Sequence, residues 1–504
     1  IRVLKRAGQV TDAARLAFEI AQTMEKDGDL EKARTQLIHV QADLAESLEN
    51  PENARLFIEV VIDMSRLSIR LEKFGPEVSK NLRQARSCAE KNGDRRSWTV
   101  INFYLGRYYM LHDRPDNALS IMQAANQEVE KMGDADILTR TAESRAFFYY
   151  MQGLHRDVVN TLENTPGVSD SPDQCFLDPL TPIFYGTSLA FTGRFHQAIG
   201  MLNAVRGAAE LNGKTSLAVH YRAVLGVVLL MMGKSREADG HLREASKDAL
   251  NTQNWIVYSI AEIALAYAEL KSSLVCESYS HMSSCMRRLV IAGVMPRNYP
   301  DNFLLEMLLA FHQRGFNPLP FFDLSGEVSR LSAGSNVHLK GMALRLSVAQ
   351  GKKDAGRCLR DLVESENCLK RSGDGVELAK TRAEMARLHM QEGDEAKARE
   401  LALAAWDELS GLNLFPDDLT CLLENTAPGD DLFTDRAGQL FEMIEQIIQT
   451  REISDIYGLM LDATGRFFRS ERAGLFCFTD KPNKALVLHC GRNLTGKDVL
   501  DDGF

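Results

Sequence analysis

The stretch Gly193-Arg194-Phe195-His196-Gln197-Ala198 decides the fold, because it ends one helical pattern and begins the next. A glycine accepts the left-handed backbone conformation that commonly ends a helix. Steps of 40 residues from Gly193 give a first column: Asp113, Gly153, Gly193, Gly233, Ser273, Gln313, Lys353 and Gly393. A second column, halfway between, is Gly93, Gly133, Asp173, Gly213, Gln253, Gly293, Ala333 and Gly373. Two turn columns per period predict two helices per repeat.

A third column lies five positions after the first and holds mostly small residues. Its members are Ala118, Val158, Ala198, Ala238, Ser278, Pro318, Cys358 and Ala398. A small residue there lets the second helix cross close to the first, where a large side chain would force the pair apart. Between the turns the apolar residues have helical spacing, as in Val219-Val224-Val227-Leu230. The sequence therefore predicts an all-α solenoid of about ten helical hairpins with a period of 40 residues.

These columns resemble the tetratricopeptide (TPR) family. The matching motifs are Leu105-Gly106-x-x-Tyr109 followed by Ala118, Leu225-Gly226-x-x-Leu229 followed by Ala238 and Ala245, and Ala386-x-x-His389 followed by Ala398 and Ala405. The family's early tryptophan is absent, and the longer unit is similar to that of bacterial signalling ATPases and transcriptional activators. The resemblance implies a TPR-like superhelix over residues 1–414. Clustered prolines predict irregular units at 164–182 and 294–335.

Composition narrows the class of protein. The 504 residues are 45% hydrophobic and 25% charged, which excludes bulk disorder. The longest charge-free stretch, Pro179 to Gly193, is too short for a membrane span. A net charge of −10 argues against direct nucleic acid binding. Nine cysteines without close metal-ligand spacing, and no secretion signal, predict a cytoplasmic protein.

The ends of the chain suggest an internal piece of a longer protein. The first residue is Ile1 rather than methionine, and Phe504 follows an acidic run. A solenoid needs a polar cap where it stops, and the sequence has none before its first repeat. We expect further protein on both sides.

The periodic pattern stops after Leu414. Residues 415–435 are rich in acidic residues and predict a solvated linker, and 436–450 predict a linker helix with Leu440, Ile444 and Ile447 on one face. A second helix is predicted over 453–468. Two β-rich runs follow, at 473–478 and 485–490, with a turn at Asp480–Asn483 that predicts a hairpin.

The order helix, Ser470-Glu471-Arg472-Ala473-Gly474-Leu475-Phe476, then hairpin resembles the opening of a GAF domain. The segment Arg492-Asn493-Leu494-Thr495 is also similar to GAF domains of bacterial enhancer-dependent regulators. The resemblance implies that 451–504 is the N-terminal part of a small α+β GAF-like domain, truncated here. It also implies a small-molecule effector for the complete domain.

No motif supports catalysis. Gly491-Arg492-Asn493-Leu494-Thr495-Gly496-Lys497-Asp498 has the spacing of a phosphate loop, but Asp498 stands where a hydroxyl should bind magnesium. We interpret it as a loop. His489-Cys490 lacks a second ligand cluster nearby, so packing explains it better than a metal or chromophore site. We therefore expect no enzyme activity, no cofactor and no metal in this segment.

The family analogy places the inner groove on the first helix of each hairpin. The residues at matching positions are Arg107, Arg140, Glu143, His220, Lys340, Lys380 and Arg387. Their mostly basic character predicts a groove for an acidic segment or a C-terminal carboxylate. The simpler interpretation, that they are solvated helix positions, is favoured.

Three functions remain open. The first is a regulatory segment of a bacterial signalling protein, in which the solenoid binds a protein, a peptide or another domain of the same chain. Its resemblance suggests control of a sigma-54-dependent transcription activator through the GAF sensor. The second is the sensory front of a histidine kinase or nucleotide cyclase. The third is a plain TPR scaffold.

Overall fold

The computed structural model describes residues 1, 3–4, 9–71, 73–112, 114–165, 176, 178–294, 303–350, 354–411, 472–478 and 486–493. Twenty helices have defined bounds over these residues. They are α1 Val10–Lys26, α2 Leu30–Ala45, α3 Pro51–Arg70, α4 Pro76–Lys91, α5 Arg95–Leu111, α6 Pro115–Met132, α7 Ala135–Met151, α8 His155–Glu163, α9 Thr181–Phe191, α10 Phe195–Leu211, α11 Thr215–Met231, α12 Ser235–Asn251, α13 Trp255–Lys271, α14 Val275–Ile291, α15 Phe303–Gln313, α16 Leu324–Ser332, α17 Val337–Ala349, α18 Ala355–Ser372, α19 Gly375–Gln391 and α20 Glu395–Gly411.

The helices form antiparallel hairpins, as the period of 40 predicts. Odd-numbered helices are the first helix of each hairpin, and even-numbered helices are the second. Within residues 1–392, each helix packs on the next along the chain, and successive first helices also pack on one another. Two large buried apolar clusters follow each other along the stack, and Phe147 and Tyr149 pack against both. A smaller cluster contains Leu305, Met342 and Leu369. The prediction of a helical-hairpin array is confirmed for the described helices.

The glycine columns end helices as predicted. Every glycine of the two columns has a positive φ: Gly93, Gly133, Gly153, Gly193, Gly213, Gly233, Gly293, Gly373 and Gly393. Gln253 and Ser273, which replace glycine in the same columns, also have positive φ, of 54° and 64°. The turn therefore has the same backbone conformation at the two positions where another residue replaces glycine.

The small-residue column lies at the helix crossings. Ala118, Val158, Ala198, Ala238 and Ser278 are fully buried, whereas Pro318 is exposed. Opposite Ala238, a Cβ added to Gly226 would lie 2.6 Å from Cγ of Leu242 and 3.5 Å from the carbonyl of Ala238. The Leu242 side chain lies so close to Gly226 that a methyl group added there would force it to move. The column fails at Pro318 because this residue lies in the connection between α15 and α16, before the second helix begins.

The helices are shortest beside the proline-rich segments. α8 and α9 have 9 and 11 residues, and α15 and α16 have 11 and 9, against 17 for each of α10 to α14. Between α15 and α16, Phe321 has a φ of 65° with an exposed ring. The chain keeps its hairpin order through these short helices.

One contact joins residues that are far apart in sequence, and we call it the 152–338 contact. The backbone N–H of Val337 donates to the carbonyl of Gln152 at 2.8 Å. The side-chain amide of Asn336 donates to the carbonyl of Met151 at 3.1 Å, across 185 residues. A Cβ on Gly153 would lie 2.7 Å from the backbone N of His338, so this glycine is required by contact as well as by its φ of 71°.

Two buried histidines lie at the centre of the 152–338 contact. The ring centroids of His155 and His338 are 4.9 Å apart. His338 Nε2 pairs with Oδ2 of Asp374 at 2.9 Å, and both side chains are almost fully buried. His155 Nδ1 lies 3.1 Å from the hydroxyl of Ser188. The contact is therefore polar at its core, with buried side chains from four helix termini.

The described C-terminal residues form an antiparallel pair, β1 Arg472–Phe478 and β2 Leu486–Asn493, with a register shift between Leu475 and Phe476. The predicted hairpin is confirmed. The predicted linker at 415–435, the helices at 436–450 and 453–468, and the segment from Leu494 onward lie outside the described residues. Two strands alone do not identify a GAF domain, so that part of the fold prediction is not supported.

Candidate functional site

The first helices form a layer in which each contacts the next, and we call it the inner layer. The predicted groove residues all lie on it, on α5, α7, α11, α17 and α19. The structure gathers some of them into two polar clusters and leaves others apart.

The first polar cluster contains Arg107, Glu143, Asp178 and Thr181. Arg107 forms an ion pair with Asp178 through both carboxylate oxygens, one of them at 3.0 Å from Nη2. Their side chains are only 7% and 13% exposed. Glu143 accepts hydrogen bonds from the backbone N–H of Asp178 at 2.9 Å and from the hydroxyl of Thr181 at 2.7 Å. Two of the predicted residues are thus brought together by a segment of the chain itself.

That segment reaches a third first helix. The hydroxyl of Tyr221, on α11, donates to the carbonyl of Pro179 at 2.6 Å. Residues 178–181 therefore contact α5, α7 and α11 through a carboxylate, a backbone N–H, a carbonyl and a hydroxyl. Side chains of the inner layer recognise the backbone of an irregular segment here, which is the chemistry of peptide binding.

Toward the N-terminus the inner layer continues with Tyr104 and Arg66. Burial raises the pKa of the Tyr104 phenol, and the Arg66 charge opposes this shift. Arg66 and Arg70 both pair with Glu25, the latter at 2.8 Å. Burial alone would raise the pKa of Glu25, but the hydrogen bonds and charges of the two arginines lower it. The charges of this part of the layer are mutually compensated.

The second polar cluster joins four consecutive first helices, α13, α15, α17 and α19. Lys380 Nζ lies 2.7 Å from Glu306 and 2.6 Å from Glu377. Arg345 Nη2 lies 2.6 Å from Glu377 and 3.6 Å from Glu306. The hydroxyl of Tyr267 donates to Glu306 at 2.5 Å. Two positive and two negative charges are balanced inside the stack.

Burial and charge set the titration of this cluster. Burial opposes ionisation of Glu377, but the charges of Arg345 and Lys380 outweigh it and lower the pKa of the carboxyl. The pKa of Glu306 is also lowered, again against burial, chiefly by the Lys380 charge. Burial and the Glu306 charge raise the pKa of Tyr267. The ionised pairs are therefore the stable form of the cluster at neutral pH.

The other predicted groove residues have local partners or a different character. Arg140 is exposed and lies 4.0 Å from Asp136 on its own helix. Lys340 pairs with Glu364 at 2.9 Å, and Arg387 pairs with Glu384 at 2.7 Å. His220 is half-buried, and burial lowers its pKa to about 4. The positive charges predicted for the groove are paired with the chain's own carboxylates, so the layer carries little excess positive charge at these positions.

Sequence reasoning missed Asp178, Tyr267, Glu306, Arg345 and Glu377. One signal was available, because Glu306 is the single charge in the apolar run Phe303-Leu304-Leu305-Glu306-Met307-Leu308-Leu309. A carboxylate in such a run needs a cationic partner if the helix is buried. The identity of that partner depends on contacts between hairpins, which the repeat pattern does not carry.

Over the described ranges, no group of three or more His, Cys, Asp or Glu side chains is arranged to hold a metal ion. In the same residues, every helix is too short or too polar to reach across a lipid bilayer.

No family model and no curated protein sequence matches the chain. Solved structures with related architecture include a Rap protein complexed with competence and sporulation factor, at 11% identity over 80% of this chain and 99% of that chain, with a TM-score of 0.43. The apo form of RapI is 12% identical over 80% of this chain and 98% of that chain, with a TM-score of 0.35. The TPR domain of P58(IPK) gives 13% identity over 82% and 97%, with a TM-score of 0.21. These neighbours are helical-repeat proteins. Sequence identities and TM-scores this low assign no activity to this chain.

Proposed function

We infer that the helical stack is a non-catalytic scaffold that binds an extended segment of a protein partner on its inner layer. One observation carries this conclusion: side chains of three first helices already hold residues 178–181, Arg107 through the Asp178 carboxylate, and Glu143 and Tyr221 through backbone groups. The same layer offers half-buried polar side chains along its length, including His220 on α11 and Lys380 on α19.

The charge pattern favours a peptide over a nucleic acid. The chain has a net charge of −10, and the cationic side chains of the inner layer are paired with carboxylates. Phosphate backbones need clustered, unpaired lysine and arginine. Paired charges and buried hydroxyls instead suit the alternating donors and acceptors of a polypeptide backbone.

The finer proposal is that the scaffold regulates an output domain, with a sigma-54-dependent transcription activator as the first candidate. A histidine kinase or nucleotide cyclase is the alternative. Sequence resemblance near the C-terminus is the support for both. An ATPase with a GAFTGA motif in the downstream reading frame would support the first, and a kinase or cyclase domain would support the second. A stop codon soon after Phe504 would support the third function, a plain scaffold without an output domain.

Selection from a random-peptide display library against the 504-residue chain tests the binding function. We expect enriched peptides to lose at least about tenfold in affinity for a His220→Arg variant, because His220 is a half-buried side chain on α11, one of the helices of the inner layer. His241→Arg is the matched control, since His241 is equally half-buried but lies on the second helix of the same hairpin. Thermal melting of both variants separates lost binding from lost folding. If no peptide is enriched, or if both variants behave alike, the inner layer is not the binding surface.

A further inference from the structure

The segment Asp178–Thr181 occupies the inner layer in the way an extended ligand would. Arg107 holds the Asp178 carboxylate, Glu143 accepts from its backbone N–H, and Tyr221 donates to the carbonyl of Pro179. In this segment the three side chains contact a carboxylate, a backbone N–H, a backbone carbonyl and, at Glu143, the hydroxyl of Thr181. The recognition chemistry is therefore not specific to a covalently attached segment.

The hydrogen-bonding capacity of Arg107 is not exhausted by Asp178. Its Nε is buried and has no hydrogen-bond partner in the described part of the chain. Its guanidinium lies over the Phe147 ring, 4.9 Å from the centroid, which holds the planar fork in place. An arginine that is held in place and has one N–H without an acceptor can bind a second carboxylate, or a carboxylate in a different position.

The segment also interrupts the repeat at this position. α7 and α11 have 17 residues each, whereas α9 begins only at Thr181 and has 11. At residues 178–180 the inner layer has irregular backbone, whereas the neighbouring α7 and α11 are regular helices. Locally, the Asp178 carboxylate accepts from the N–H of Leu180 at 2.9 Å. Backbone bonds from Thr181 N–H to the Asp178 carbonyl and from Ile183 N–H to the Leu180 carbonyl, each at 3.0 Å, add to this. The remaining contacts described above are to the inner layer.

Resting on the function inferred above, we propose that Asp178–Thr181 is an internal competitor at a subsite for an acidic segment of a protein partner. The partner presents an aspartate or glutamate to Arg107 and the backbone N–H of that residue to Glu143. Binding requires the chain's own segment to leave, so the free protein is self-inhibited at this subsite. Charge complementarity to the buried arginine selects this occupant over a basic or apolar one.

The test uses a fluorescently labelled synthetic peptide with the sequence of residues 176–183, Phe-Leu-Asp-Pro-Leu-Thr-Pro-Ile, added to the 504-residue chain. Asp178→Asn removes the competing carboxylate but keeps an acceptor for the N–H of Leu180. We expect this variant to bind the peptide at least about tenfold more tightly than the wild type, measured by fluorescence anisotropy. A peptide in which asparagine replaces the aspartate should lose that gain. Glu163→Gln, at the more exposed pair with Arg194, is the control and should bind as the wild type does.

Arg107→Gln in the Asp178→Asn background should abolish binding while the thermal melting curve stays that of the parent. Thr181→Val offers a second route if Asp178→Asn unfolds, since it weakens the hold of Glu143 and should also raise affinity for the peptide. The proposal is overturned if the folded variants bind no better than the wild type, or if Arg107→Gln leaves binding unchanged. Library peptides that need His220 but not Arg107 would overturn this proposal and leave the scaffold function standing.

Discussion

Two neighbouring parts of the stack are held together by different kinds of contact. The regular block, Thr215–Ile291, contains four helices of 17 residues. Its polar contacts include pairs between adjacent helices, as His281 forms with Glu262 and Glu269. The irregular block, Phe303–Ala349, contains helices of 11, 9 and 13 residues. Its buried charges pair with α13 and α19, and its residues 336–338 reach residues 151–155.

The difference shows what replaces periodic packing when it is lost. In the regular block, small and large apolar residues at fixed spacing position each helix, and polar pairs such as His281 with Glu262 keep their side chains partly exposed. In the irregular block, apolar side chains such as Phe303 and Met307 are also buried, and the buried ion pair of Arg345 with Glu377 adds a directional contact with α19. A substitution in apolar packing costs the contacts that it removes or strains, whereas a buried charge that loses its partner is strongly destabilising. We therefore expect the two blocks to respond differently to substitution and to pH.

The largest effect should come from Arg345→Met in the irregular block. This change leaves Glu306 and Glu377 buried with one cation fewer, and we expect a loss of about 3–5 kcal/mol in the free energy of unfolding. Urea unfolding followed by circular dichroism measures it. Arg243→Met in the regular block removes an exposed pair with Asp239 and should cost less than about 1 kcal/mol.

The double variant Arg345→Met, Glu377→Gln separates charge from packing. Removing the stranded carboxylate should restore part of the stability that the single variant loses. Equal losses for Arg345→Met and Arg243→Met would mean that the second polar cluster does not hold the irregular block.

Shape dependence in the regular block is tested at two glycines of one hairpin. Gly226→Ala would place a methyl group 2.6 Å from Cγ of Leu242, and we expect a loss of about 1–3 kcal/mol. Gly240→Ala, on the exposed face of α12 with open space around it, should stabilise by up to about 1 kcal/mol through helix propensity. Thermal unfolding of both variants checks the opposite signs. A neutral Gly226→Ala would show that the hairpin can spread without cost.

Acidification should act in opposite directions on the 152–338 contact, which joins residues 336–338 of the irregular block to residues 151–155, and on the regular block. Burial and the His338 charge lower the pKa of His155 far below 6.5 in the folded chain, so stability at the 152–338 contact falls as pH drops below about 6.5. Hydrogen bonds to Glu262 and Glu269 raise the pKa of His281, so its contribution is present below 6.5 and is lost as pH rises through the folded value. Each effect is at most about 1.4 kcal/mol per pH unit.

Hydrogen exchange at pH 5.5 and 7.5, corrected for intrinsic rates, resolves the two histidines. Peptides covering 151–156 and 336–338 should lose protection at the lower pH, and peptides covering α13 and α14 should gain it. His155→Phe should remove the first change and His281→Gln the second. Parallel changes in both regions would contradict the assignment.

The smallest expected effect lies at the turns of the regular block. A left-handed backbone costs about 1–2 kcal/mol for a residue with a Cβ, and Gln253→Gly and Ser273→Gly remove this strain. The greater flexibility of glycine in the unfolded chain offsets part of the gain. We expect each to raise the free energy of unfolding by about 0.5–1 kcal/mol. Gly233→Ala, with a φ of 80° and open space around it, is the reverse change and should lower it by a similar amount. Destabilisation by Gln253→Gly would show that its side chain contributes more than the strain costs.

The sequence pattern predicts contacts between neighbours and little beyond them. Gly193 and Ala198 report a turn and a crossing within one hairpin, and the structure has both. The pairing of Arg107 with Asp178, or of Arg345 with Glu377, depends on how successive hairpins are rotated against each other. That rotation is the sum of small differences in packing at every interface. A period of 40 residues does not encode this rotation. The ion pairs of the inner layer and the 152–338 contact therefore could not be predicted from the sequence.

The 152–338 contact changes how this chain would bear mechanical load. In an array that touches only its neighbours, tension applied to the two ends passes through every hairpin in series. Here Met151 and Gln152 are tied directly to Asn336 and Val337, so force can travel across that tie and bypass the hairpins between them. The intervening length is shielded until the tie ruptures, and only then is it exposed to stretching.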